Sequence, residues 1–266
     1  MSQQPPVEFE RMRPGQIRTC RELADIAFLP LGALEWHGLQ APVGTDGLKS
    51  HDICCRAARR LGGGAVFPPV YHGLPGDSFF MGITDPPDGE KIAAVYGTET
   101  ERFFGFGRHG GMDVQEQWLA YQRLLRMSLE TIARFGFRSI YICSGHNPLV
   151  HWAKPVAVAF ARASSMAGQA VTVDVGGEFD AAGLDGDHGG KWETSLMQAA
   201  APETVDLTEL DRHPELCGRA HGADAVDATA EQGEAWAEAC AEAIAAEARW
   251  LVENYPQLPK RHHHGR

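Results

Sequence analysis

Short apolar runs alternate along this chain with longer segments whose apolar residues recur at helical spacing. Each run has the length of one buried strand, and each longer segment has the length of a helix. Repeated strand–helix–strand units predict a mainly parallel sheet with helices on both faces, so we expect a three-layer α/β/α fold. The predicted strands are 26–31, 65–71, 139–143 and 170–175, and the predicted helices are 19–24, 48–61, 114–135, 150–166, a segment that starts near Lys191, and 231–254.

The composition is typical of a globular protein without an anionic partner. The 266 residues are 44% hydrophobic and 22% charged, which favours a packed core, and we expect a single domain over 1–266. The net charge of −11 disfavours nucleic acid and anionic membrane surfaces as partners. No apolar run approaches the ~20 residues that span a bilayer, and the amino-terminal residues lack a signal-peptide core. The six cysteines form no CxxC pair, so we expect a cytoplasmic protein with reduced thiols.

One long segment, 72–117, shows no strong periodicity. It is dense in Gly, Pro and Asp and includes the runs GDSFFMGITDPPDGEK and GFGRHGGMD. Irregular segments of this length are usually functional loops, so we predict a lid or insert here.

The first predicted strand leads directly into candidate metal ligands. Glu35 and His37 are two residues apart, so an extended backbone would point both side chains to the same face. Asp46 lies in the run 44–47, Gly-Thr-Asp-Gly, which predicts a turn that brings a further carboxylate back toward this pair. Each residue alone is more often a cap or a surface group. Three of them within twelve residues favour half of a metal site.

Further candidates follow the later strands. His146 follows the third predicted strand, and His188 and Glu193 follow the fourth. In parallel sheets, ligands bind beyond the carboxyl ends of the strands, and these loops meet at that edge. We therefore expect the candidates to converge on one site.

Three motifs resemble the signatures of the creatininase (creatinine amidohydrolase) family. The run LPLGALEWHGLQAPVGTD resembles the first signature, SGHNP a shortened form of the Asn-Gly-His loop, and HGGKWETSLM the later signature with its E-T-S core. The matches span about 26–201 in the expected order. The resemblance implies a creatininase-like fold and a metal-dependent hydrolase with two divalent ions, zinc or manganese, with iron as a further candidate. It also implies a homo-oligomer, with a hexamer as one form.

The resemblance implies a role for each candidate. Asp46 is suited to bridge both ions, and Glu193 is our choice as the ligand that completes the set, since the position of another family glutamate is occupied by Pro148. Glu193 and His188 are the expected catalytic residues, with His188 as the proton shuttle. The implied metal ligands are Glu35, His37, Asp46, His146 and Glu193.

Departures from the family pattern limit the substrate assignment. Gln40 replaces the second histidine of the first signature, Ser144 replaces an asparagine, and the usual H-x-F-P-G-T stretch is missing. Creatinine is therefore a poor default, and we predict a small cyclic amide, imide or lactone as substrate. We expect Ser144 and Trp192 to bind it, although Trp192 fits core packing equally well.

Two alternatives stay open at this point. A peptide-trimming hydrolase of the same family would suit an open lid over 72–117. A non-catalytic family member that binds metal would suit the altered surroundings of the ligands. A closed pocket too small for a dipeptide would exclude the first alternative. Activity of the metal-loaded protein would exclude the second.

Overall fold

The computed structural model describes residues 6–72, 86–99, 113–214, 216 and 222–254. Four strands and a set of helices form the described part of the chain. The strands are β1 Ile26–Leu31, β2 Ala65–Val66, β3 Ser139–Ser144 and β4 Thr172–Gly177. The helices are α1 Pro14–Leu23, α2 Thr45–Leu61, α3 Pro86–Val95, α4 Val114–Arg134, α5 Pro148–Met166, α6 Lys191–Ala200, α7 Glu209–Arg212 and α8 Ala230–Asn254.

The strands form one parallel sheet in the order β2-β1-β3-β4. Register places Leu31 beside Ser144, and Ser144 beside Gly177, so three strands end level with one another. The predicted α/β class with a parallel sheet is confirmed. The loops that follow these strands therefore begin side by side at one edge.

Helices cover both faces of the sheet. Strand β1 is buried along its whole length, and its side chains alternate between the two faces. On one face, Leu29 packs with residues of α4 and α5, and on the other, Phe28 packs with residues of α2, α6 and α8. Burying one such side chain contributes about 1.5–3 kcal/mol. Among the described helices, none has both the length and the apolar character required to cross a bilayer.

Several element bounds differ from the prediction. Helix α2 begins at Thr45 instead of 48, so Asp46 lies in its first turn and not in a separate turn. Strand β2 is only Ala65–Val66, because Pro68 and Pro69 follow it and proline cannot donate a ladder hydrogen bond.

The predicted lid at 72–117 is partly described. It contains α3, Pro86–Val95, a helix that the sequence analysis did not predict, and the start of α4 at Val114 agrees with the predicted helix. Residues 73–85 and 100–112 lie outside the described part of the chain. The lid and the single domain over 1–266 stay predictions.

Candidate metal centre

All five predicted metal ligands meet at the carboxyl edge of the sheet. Glu35 and His37 lie in the loop after β1, Asp46 in the first turn of α2, His146 just after β3, and Glu193 in the first turn of α6. Each is at most 4% exposed. Buried carboxylates without a cationic or hydrogen-bonding partner are costly, so such a cluster requires compensation.

The ligand atoms form overlapping groups; Glu35, His37 and His188 form one of them, and two others share Asp46. Glu35, Asp46 and His146 form one group, and His37, Asp46 and Glu193 form the other. Asp46 Oδ1 lies 3.1 Å from His37 Nε2, and Asp46 Oδ2 lies 3.3 Å from His146 Nδ1. The two oxygens of one carboxylate thus face different groups.

Other ligand atoms within each group also lie close together. In the first group, Glu35 Oε1 lies 2.7 Å from His146 Nδ1. In the second, Glu193 Oε2 lies 3.5 Å from His37 Nε2. Donor atoms this close are suitable for sharing one cation.

Backbone groups orient the ligands. The amide of Ala33 donates to Asp46 Oδ2 at 3.1 Å, and the amide of Gly189 donates to Glu193 Oε2 at 2.7 Å. His37 Nδ1 lies 3.2 Å from the carbonyl oxygen of Glu35. A carbonyl only accepts, so Nδ1 carries the proton and Nε2 faces the carboxylates. Such an outer hydrogen bond fixes the tautomer of a metal-binding histidine.

The pKa values of the candidate ligands indicate that the buried carboxylates need positive charge beside them. Burial opposes ionisation of Asp46, but His37 and His146 beside it hold the pKa of Asp46 well below its usual range. Burial would lower the pKa of His37, but Glu193 and Asp46 outweigh it and raise that pKa to about 9. Asp46 and Glu35 likewise outweigh burial and raise the pKa of His146 to about 10. Protons thus compensate the carboxylates in the metal-free protein.

The donor set fits divalent ions. Glu35 Oε1 and His146 Nε2 are buried and make no hydrogen bond within the described structure, although Glu35 Oε1 is close to His146 Nδ1. Carboxylate oxygen together with imidazole nitrogen suits zinc and manganese. A cation would satisfy Glu35 Oε1, whereas His146 Nε2 lies on the other side of the ring from the Nδ1 that faces the carboxylates.

His188 is the most accessible member of the cluster. Its side chain is 21% exposed, its Nδ1 lies 3.9 Å from Glu35 Oε1, and its ring centroid lies 4.8 Å from that of His37. Burial and the adjacent His37 lower the pKa of His188. A neutral imidazole therefore stands between the buried ligands and the outside.

The two predicted substrate-binding residues are both buried. The Ser144 hydroxyl donates to the carbonyl oxygen of His146 at 2.5 Å. Trp192 packs against Phe179 and Trp236 in the core. Their role in substrate binding stays a prediction.

Gln40, at the position where the family signature has histidine, joins two ligand loops. Its Nε2 lies within hydrogen-bond distance of the carbonyl oxygens of His37 and Gly189, at 3.1 and 2.9 Å, and of Thr194 Oγ1 at 3.0 Å. Gln40, which replaces the family histidine, thus links the loop that carries His37 to the loop that precedes Glu193.

Two charged residues of the cluster were missed by the sequence analysis. Lys49 is 1% exposed and its Nζ lies 2.7 Å from Glu193 Oε1 and 3.9 Å from Asp46 Oδ1. Glu178 is fully buried and forms a short ion pair with Lys49. One signal was present, because Glu178 follows the fourth predicted strand. The spacing of three residues between Asp46 and Lys49 became informative only with the observed start of α2 at Thr45.

The chain matches one protein family over most of its length. The family model described as creatininase, creatinine amidohydrolase, matches residues 10–86 and 96–248. The curated creatinine amidohydrolase of Pseudomonas putida is 27% identical over 201 residues, which cover 71% of this chain and 69% of that protein.

Solved structures show the same fold. A creatininase described as the Mn form superposes with a TM-score of 0.69 at 23% identity, over 92% of this chain and 98% of the other. A glutamine-for-glutamate mutant creatininase of the Zn-Zn type gives the same TM-score, identity and coverage. At this identity, the likeness shows the fold alone.

Proposed function

The chain belongs to the creatininase family, and on this premise we propose that it is a metal-dependent amidohydrolase with two ion positions. The first position is formed by Glu35, Asp46 and His146, and the second by His37, Asp46 and Glu193. The observation that carries the proposal is the shared Asp46, whose two oxygens face the two groups at 3.1 and 3.3 Å. A bridging carboxylate of this kind suits a pair of divalent ions.

Zinc and manganese are the proposed ions, with iron as a further candidate. The mixed oxygen and nitrogen donors support this choice, as do the manganese and zinc forms of the similar creatininases. Bound divalent ions would supply Lewis acidity, which polarises a carbonyl group and lowers the pKa of water.

His188 and Glu193 have separate proposed roles in the reaction. His188 is neutral, partly exposed and adjacent to the ligands, so its imidazole is suited to take a proton from the attacking water and pass it to the leaving nitrogen or, for a lactone, oxygen. Glu193 Oε2 lies 3.5 Å from His37 Nε2, and this carboxylate would serve as a ligand and orient water. Ser144 supports the site through its hydrogen bond to the carbonyl oxygen of His146. Trp192 supports it through packing against Trp236 in the core.

The proposed substrate is a small cyclic amide, imide or lactone. A neutral carbonyl compound fits a site whose cationic groups neutralise its carboxylates. Gln40 in place of the family histidine supports a substrate other than creatinine. A homo-oligomer in the cytoplasm, with a hexamer as one form, completes the proposal.

A substrate panel tests the function. Protein loaded with Zn²⁺ or Mn²⁺ is assayed on lactams, imides, lactones, creatinine and dipeptides, next to Asp46→Asn and the exposed control Asp211→Asn. We expect turnover of a cyclic substrate that falls by more than about a hundredfold in Asp46→Asn, since even outer-shell changes cost 10–100-fold. Asp211→Asn should retain full activity.

The other results of the panel are equally informative. Cleavage of dipeptides alone would favour a peptide-trimming hydrolase. Metal binding without turnover of any compound would indicate a non-catalytic family member. Turnover that survives both metal removal and Asp46→Asn would exclude the proposed chemistry.

A further inference from the structure

A further cluster of potential metal ligands lies against a different face of α2 from the one that carries Asp46. Glu8, Glu10 and His51 each offer a ligand atom, and these atoms all lie within 4.8 Å of one another. His51 follows Asp46 by five residues, which turns its side chain about 140° around the helix axis. The cluster shares no residue with the candidate metal centre and is a separate feature of the molecule.

Backbone contacts of the segment 7–11 bring the two glutamates to α2. The carbonyl oxygen of Val7 accepts from the amide of Val66 at 2.8 Å, and Glu8 forms a parallel bridge with the same residue. A short 3-10 helix, Phe9–Arg11, follows and carries Glu10. The two carboxylates are therefore held near the helix by the fold of the backbone and not only by flexible side chains.

An exposed arginine only partly balances the two carboxylates. Arg11 Nη1 lies 3.4 Å from Glu8 Oε2, but its side chain is 71% exposed, and exposed ion pairs contribute about 0–1 kcal/mol. Burial lowers the pKa of His51 even though Glu8 and Glu10 act in the opposite direction. The ring is thus neutral and has a nitrogen lone pair that an ion can use.

A buried thiol faces the same histidine from the next turn of α2. Cys55 follows His51 by four residues, a spacing that puts two ligands on one face of a helix. Cys55 is 4% exposed, and its Sγ lies 3.9 Å from both ring nitrogens of His51, which are its hydrogen-bond contacts within the described structure. Sulfur and nitrogen ligands of a tetrahedral zinc ion lie about 3.5 Å apart, because the two bonds are about 2.3 and 2.0 Å long. The thiol is therefore close to the distance that a shared ion requires.

We propose that Glu8, Glu10, His51 and Cys55 form a separate site for one zinc-like divalent ion, which ties the segment 7–11 to α2. Thiolate, imidazole and carboxylate are the ligand types that zinc accepts together. Burial raises the pKa of Cys55 to about 12, so the thiol keeps its proton in the metal-free protein and releases it to solvent when the ion binds. The site goes beyond the proposed hydrolase function and does not depend on it.

Cobalt titration distinguishes this site from the candidate metal centre. Metal-free protein is titrated with Co²⁺ while elemental analysis counts the bound ions and near-ultraviolet absorption follows the thiolate-to-cobalt charge-transfer band. The candidate ligands of the centre contain no sulfur, so we expect the band to report on the separate site alone and to saturate at one equivalent. Cys55→Ala should abolish the band, and His51→Gln should weaken its formation by more than about tenfold. The controls Cys20→Ala, at another buried thiol, and His151→Gln, at an exposed histidine, should retain it.

Glu10→Gln guards against misfolding, because Glu10 is exposed and its replacement leaves the core unchanged. It should also weaken formation of the band by more than about tenfold. Wild-type protein without a band, a band that survives in Cys55→Ala, or unchanged cobalt affinity in Glu10→Gln would overturn the inference. Asp46→Asn should lose the ions of the centre and keep the band. A wild-type protein that shows the band and binds no further ion would refute the proposed binuclear function and support the separate site.

Discussion

Asp46 links the two halves of the candidate centre through its two carboxylate oxygens. Oδ1 faces His37 and Oδ2 faces His146, while the Ala33 amide donates to Oδ2 at 3.1 Å. The residue is 1% exposed, yet the surrounding cations keep it ionised. A single side chain therefore belongs to both groups.

The pH dependence of stability follows from the two ligand histidines. An unfolded histidine has a pKa near 6.5, whereas neighbouring carboxylates raise the pKa of His37 to about 9 and that of His146 to about 10 in the metal-free fold. Their protons stabilise the metal-free protein fully below pH 6.5, and this stabilisation is lost as the pH rises through 9 and 10. We expect its Tm to fall between pH 6.5 and 10, and metal affinity to rise over the same range because metal displaces these protons.

Thermal unfolding of the stripped protein checks this expectation. His37→Gln should show a smaller fall in Tm, and His151→Gln, at an exposed position, should behave as the wild-type protein. A Tm that is constant or rises over this range would contradict the assigned protonation.

At the scale of residues, the sequence identified the candidate ligands but not the charged residues that pair beside them. Spacing and motif placed Glu35, His37 and Asp46 together, because they lie within one short segment. Lys49 and Glu178 come from α2 and the end of β4, and their pairing depends on a contact 129 residues apart along the chain. No local pattern encodes such a contact.

At the scale of elements, the amino-terminal end of α2 lies tightly against the ends of β1 and β3. A Cβ atom on Gly145 would lie 2.0 Å from the backbone oxygen of Asp46, and one on Gly32 would lie 2.4 Å from the backbone nitrogen of Gly47. Real Cβ atoms do not approach backbone this closely, so glycine permits the contact. The helix can therefore bring Asp46 to the strand ends.

Gly145→Ala tests this close approach. The added methyl group must displace the Asp46 backbone, so we expect a loss of about 1–3 kcal/mol in unfolding free energy together with weaker metal binding. Denaturant unfolding and metal titration measure the two effects.

Gly15→Ala is the matched control, because a Cβ on Gly15 meets no atom within 4 Å and alanine favours the helix α1. It should leave metal affinity unchanged and stability equal or slightly higher. Unaltered metal binding in Gly145→Ala would show that the packing of α2 does not position Asp46.

The sequence predicted most elements but not all of their ends. Apolar periodicity located α4 nearly to the residue, because a long amphipathic pattern persists over several turns. The Ala- and Glu-rich composition located α8 as closely, because both residues favour helix. The start of α2 was wrong, since the run 44–47 has the composition of a turn. In the structure, the Thr45 hydroxyl donates to the carbonyl oxygen of Pro42 at 2.7 Å, and the helix begins there.

At the scale of the whole molecule, the parallel sheet explains why distant segments share one site. Strands β1, β3 and β4 end level with one another, so the loops after them reach the same space. This convergence could be predicted from the alternation of strands and helices. Which atoms pair within the site could not, because that depends on register and on the twist of the sheet.

Anomalous diffraction from crystals grown with saturating Zn²⁺ tests the central claim most directly. Data collected on either side of the zinc absorption edge locate the ions without reference to activity. We predict two peaks that share Asp46, one beside Glu35 and His146 and the other beside His37 and Glu193. Ordered side chains at this edge of the sheet with no zinc peak among them would contradict the account.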